Sequence, residues 1–150
     1  MSLDLEIPIS RDYLSISYII EETSKLLYLL SDFSDSEDII CFKVKNGKKT
    51  TISKDYIIKC GDEFYIQQEG GDNLVVLNFW DYGDEKTWAG ISVYQPNKYK
   101  MFLAICIAII LAKHYHSYIY DERQAWGNKR IISSDDIFTD FEKKLSGYND

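Results

Sequence analysis

The apolar positions of this chain change period several times, and each change predicts an element. Leu3, Leu5, Ile7 and Ile9 alternate with Asp4, Glu6 and Pro8, a period of two that reads as an edge strand or an extended lead-in. Leu14, Tyr18, Ile19, Leu26, Leu29 and Leu30 then recur three and four apart, predicting an amphipathic helix over Arg11 to Ser31 with Ser10 as its N-cap. The acidic cluster from Ser31 to Asp38 ends that helix as a loop. Strand patterns follow at 39–44 and 49–53, joined by Asn46-Gly47, whose residue types suit the two positive-φ positions of a type I′ hairpin turn. Further strand patterns at 63–68, 74–80 and 87–94 are separated by turn signals at Gly70-Gly71 and around Gly83. The middle of the chain therefore predicts an antiparallel meander of about five strands.

Pro96 opens a helix from Asn97 to about Ser117 whose centre, Met101 to Ala112, is apolar on every face and must be wrapped by protein. Its twelve apolar residues fall short of the roughly 20 that span a bilayer. The polar connection Tyr118 to Arg130 has room for a short strand. Ser133 to Asp136 cap a last amphipathic helix that runs to Leu145, with Ile137, Phe138 and Phe141 on one side and Gly147 ending it. The sum is one α+β domain over residues 1–150: an N-terminal helix, the meander, a central apolar helix and a C-terminal helix.

Composition fits that domain, with 45% hydrophobic and 27% charged residues in a chain of 150. Cys41, Cys60 and Cys106 are odd in number and form no CxxC pair, which predicts reduced thiols in a cytoplasmic protein rather than a disulfide framework or a zinc site. The N-terminus carries acids where an export signal carries bases. Charge is more informative by segment than in its total of −7: residues 1–40 sum to −7, 41–60 to +5, 61–90 to −6 and 91–150 to +1. The lysines cluster in a single stretch of a net acidic chain, so nucleic acid is disfavoured as a direct ligand and a basic protein is favoured.

No motif for covalent catalysis or phosphate binding is present, and no metal or other cofactor is expected. His114 and His116 lie two apart on a helix and so on different faces, unlike the four-residue spacing of a helical metal site. Asp121, Glu122, Arg123 and Trp126 form a dense polar group without the separated carboxylates of a nuclease or glycosidase site in evident spacing. Two stretches combine features of a partner surface. The segment at 79–88 brings Trp80, Asp81, Tyr82, Asp84, Glu85 and Trp88 together, aromatic anchors beside steering acids. The loop acids Asp32, Asp35, Glu37 and Asp38 form a second surface, and Asp121 and Glu122 extend the candidate set. The plain alternatives are solvated loops for the acids and core packing for the aromatics.

In size, acidity and helix, meander, helix order the whole chain resembles the small acidic α+β immunity proteins of bacterial toxin systems, including those of contact-dependent growth inhibition. The resemblance implies a non-enzymatic protein that binds a cognate basic toxin domain, commonly a nuclease, and covers its active site or an adjacent surface. A nucleic-acid-mimicking inhibitor of a defence or phage protein, and a small enzyme with a site near Asp121 and Glu122, are the competing expectations.

Overall fold

The computed structural model describes residues 2–10, 12–30, 39–69, 73–82, 86–124, 130–137 and 139. The N-terminal alternation becomes strand β1 (Ser2–Ile9), followed by helix α1 (Ile16–Leu30) and strands β2 (Ile39–Lys45), β3 (Lys48–Thr51), β4 (Glu63–Gln68), β5 (Leu74–Tyr82) and β6 (Lys86–Tyr94). Helix α2 (Lys98–His114) and the short strands β7 (Ile119–Tyr120) and β8 (Ile131–Ile132) complete the order. All strands join one antiparallel sheet in the order β3-β2-β4-β5-β6-β1-β7-β8. The α+β class agrees with the sequence, but the described sheet has eight strands rather than about five.

The three strands beyond five are β1, β7 and β8, and two features depart from expectation. Strand β1 is neither an edge nor a lead-in: it pairs along its whole length with β6, from Ser2 opposite Tyr94 to Ile9 opposite Thr87, and with β7 on its other side. Its apolar stripe drives this, because Leu3, Leu5 and Ile7 are at most 2% exposed and face the same side as Val93, Ile91 and Ala89. Nor do the middle strands form a simple meander, since β4 returns beside β2 and leaves β3 at the sheet edge. That edge strand is exposed throughout and carries Lys48 and Lys49, charges that discourage edge-to-edge pairing. The turn before it is as expected, with φ of 53° at Asn46 and 76° at Gly47.

Helix α1 starts at Ile16, not Arg11, because the preceding residues are tied to a loop. The Ile16 amide donates to the Tyr56 carbonyl at 3.1 Å, and the Ile58 amide to the Leu14 carbonyl at 3.1 Å. Ser15, not Ser10, then caps the helix, its Oγ accepting from the Tyr18 amide at 3.3 Å. Ile16, Ile19, Thr23 and Leu27 form the buried stripe, while Tyr18 and Leu29 turn outward.

Helix α2 is the centre of the molecule. Asn97 caps it by accepting from the Lys100 amide at 2.8 Å, and its Nδ2 donates to Asn73 Oδ1 at 2.8 Å. Met101 to Ile109 are all buried, packed against β1, β5, β6 and α1. Each such Leu or Ile contributes about 1.5–3 kcal/mol by leaving water. The expected C-terminal helix is helical at 134–137 and at 139, with Ile137 joining this core, and the remainder of that expectation lies outside the described residues. Among the described residues no helix is long and apolar enough to cross a membrane.

Candidate functional site on the open sheet face

Both described helices pack on one face of the sheet, so the alternate residues of each strand stand on the other. Strand register places them in rows. Glu63, Asn78, Gly90, Glu6 and Tyr120 form a row across β4, β5, β6, β1 and β7. Trp80, Trp88 and Pro8 form the row on one side of it, and Phe42, Tyr65, Val76, Ser92 and Asp4 the row on the other. The face is thus aromatic in its middle, with acids at Asp4 and Glu6 on β1 and at Glu63 on β4. Phe42 and Tyr65 stack with ring centroids 5.7 Å apart, and the Tyr65 hydroxyl donates to Glu63 Oε1 at 2.8 Å.

Gly90 shapes this face. A Cβ there would meet Asn78 Oδ1 and come within 2.5 Å of the Trp80 ring, so only glycine admits the indole lying over the strand. Beside that glycine opens a hollow of about 230 Å³, bounded by Asp4, Glu6, Trp80, Ser92, Glu122 and Arg123. Pockets for small molecules run from roughly 300 to 1,000 Å³, so this one is scaled to a side chain.

Three carboxylates border the hollow against one guanidinium. Among the described residues none of the four makes an ion pair or a hydrogen bond; the ion pairs there are Lys25 with Glu22 and Lys43 with Asp62. Burial of Glu6, followed by the charges of Glu122 and Asp4, raises its pKa above the usual carboxylate value.

The expected site residues separate across the sheet. Trp80 and Trp88 are half-buried neighbours on the open face, and Glu122 borders the hollow. Asp81, one residue from Trp80, points to the helix side, where it accepts from Thr87 Oγ1 at 2.5 Å. Asp121 corrects the expectation of an exposed acid: it is 0% exposed, just past the end of β7, with its amide donating to the Arg130 carbonyl at 2.6 Å. Glu122, in the turn that follows, borders the hollow, and Asp121 does not. Tyr82 closes β5, while Asp32, Asp35, Glu37, Asp38, Asp84 and Glu85 lie outside the described residues.

Asp4, Glu6, Asn78 and Gly90 escaped the sequence reading. Two signals pointed to them: acids at every second position of an apolar stripe, and a lone glycine inside a strand pattern, which marks a close approach. The remaining chemistry-bearing groups serve structure. Lys43 reaches Asp62 at 2.6 Å and the Tyr56 hydroxyl at 3.0 Å, and Asp62 also accepts from the Lys59 amide at 2.7 Å. Burial pushes the Cys41 thiol up to about 12 and raises Cys106 as well. His114 is exposed at the end of α2, its ring edge-on to Tyr18 at 5.5 Å. Among the described residues no group of His, Cys, Asp or Glu is placed to hold a metal ion. Comparison of the chain with protein-family models, curated proteins and solved structures finds no match.

Proposed function

We propose that this protein is an immunity protein that binds a cognate basic toxin domain, a nuclease, and neutralises it by covering its active site or an adjacent surface. The observation that carries this reading is the open sheet face, where Trp80 and Trp88 stand side by side next to the unpaired carboxylates Asp4, Glu6 and Glu122. Half-buried tryptophans are the side chains that most often dominate binding energy, and surrounding acids steer a cationic partner into register. A toxin that acts on RNA or DNA presents lysines and arginines where the phosphates run, so an acidic face that meets them excludes the substrate by occupancy.

The test is co-expression with the product of the adjacent gene. The two proteins should co-purify, and cells producing the toxin should survive only when this protein is present. Trp88→Ala should weaken the complex at least tenfold. Absence of both co-purification and protection overturns the reading.

A further inference from the structure

We infer that the hollow beside Gly90 is the seat for one arginine side chain of the basic partner. This rests on the reading of the open face as a partner surface and names the chemistry at its centre.

The argument is one of complementarity. The hollow is smaller than a substrate pocket and is open to the sheet face, which suits a side chain entering from a docked protein. Its walls differ in kind: the Trp80 indole on one side, the carboxylates of Asp4, Glu6 and Glu122 on others. A guanidinium is planar, stacks on an aromatic face and presents five donors in a fixed fork, so one group satisfies both walls together. An ammonium is a point charge that keeps its water more tightly and gains less from the indole. Arg123 also lines the hollow, one positive charge against three negative ones and paired with none of them, so the hollow stays in negative excess. The like-charge crowding at Glu6 is relieved when a cation enters.

Gly90 has a second part in this. Any larger residue would push Trp80 off the strand and remove the stacking wall. The base of the seat is therefore set by backbone, and the specificity by side chains from β1, β5 and the turn after β7.

The experiment uses the whole protein and N-acetyl-arginine amide as probe, followed by amide and indole chemical shifts. Saturable shifts centred on Gly90, Trp80 and Asn78 are expected, with Kd on the order of 1 mM, as befits a ligand of this size. N-acetyl-lysine amide should bind at least threefold more weakly. Glu6→Gln combined with Glu122→Gln should abolish the shifts while thermal unfolding confirms an intact fold. Shifts that are absent, scattered over the acidic surface or unchanged in the double variant overturn the inference. The outcome is separable from that of the immunity reading: arginine binding with no toxin partner leaves the seat standing alone, whereas a toxin held equally well by the double variant removes the seat and keeps the function.

Discussion

Asp62 shows how a single carboxylate holds a loop. Burial works against its charge, but hydrogen bonds from Lys43, the Lys59 amide and Tyr56 outweigh that and lower its pKa below the ordinary 3.8. A depressed acid contributes stability that is present above its unfolded pKa and lost as pH falls through the folded one. Asp62→Asn should therefore cost about 2 kcal/mol at pH 7 and progressively less below pH 3.8, by urea denaturation; a cost that does not change with pH would contradict the assignment. Glu6 runs the other way. Its raised pKa means that its ionised form opposes folding, so Glu6→Gln should raise stability slightly at pH 7 in urea denaturation, a gain that disappears as pH falls through the carboxylate range. Among the residues of the open face, Trp80, Trp88 and Glu122 were legible in the sequence as candidates, since aromatics beside acids are a local signal. Glu6 was not: its place beside Gly90 depends on a pairing between distant strands that no local period encodes.

At the scale of elements, local chemistry was readable wherever it alone decides the outcome. Asn46-Gly47 forms its turn because both residues tolerate positive φ, and α2 forms because an apolar run capped by Asn97 has no other use. The start of α1 was not readable, since what ends the extended segment before it is a hydrogen bond to Tyr56, a residue of another loop. The sheet order was hidden for a similar reason: β2 and β3 form a hairpin in either arrangement, and nothing nearby says which of the two then meets β4. Helix α2 supplies the clearest stability test. Leu103 is 0% exposed within it, and Leu103→Ala should cost about 3 kcal/mol in chemical denaturation, with no direct effect on the open face. Leu29→Ala, on an exposed side of α1, should stay within about 0.5 kcal/mol.

The whole molecule separates its tasks between two faces of one sheet. The helix side carries the core, and the open side carries aromatics and acids that the core does not need. Lys48 and Lys49 belong to the far edge strand, Lys49 reaching over the Phe42 ring, while the unpaired acids Asp4, Glu6 and Glu122 gather at the β1 side of the sheet. With opposite charges on different strands, association with a basic partner should be fast and salt-sensitive. Its rate constant is expected to fall at least tenfold between about 0.01 and 0.15 M salt, as the Debye length shrinks from roughly 30 to 8 Å, while dissociation changes little. Stopped-flow tryptophan fluorescence would show it.

The position of β1 bears on how the chain reaches this state. Ser2 meets Tyr94 and Glu6 meets Tyr120, so β1 leaves the ribosome well before the strands it pairs with. Hairpins β2–β3 and β5–β6 close within their own segments, but the pairing that joins β1 to β6 is a long loop closure, and domains dominated by such contacts fold in roughly milliseconds to seconds. At about 5–20 residues per second of synthesis, the apolar stripe of β1 spends several seconds without a partner. During that interval its best available mate is the β6 of another nascent copy, which makes strand exchange between molecules the characteristic failure of this fold.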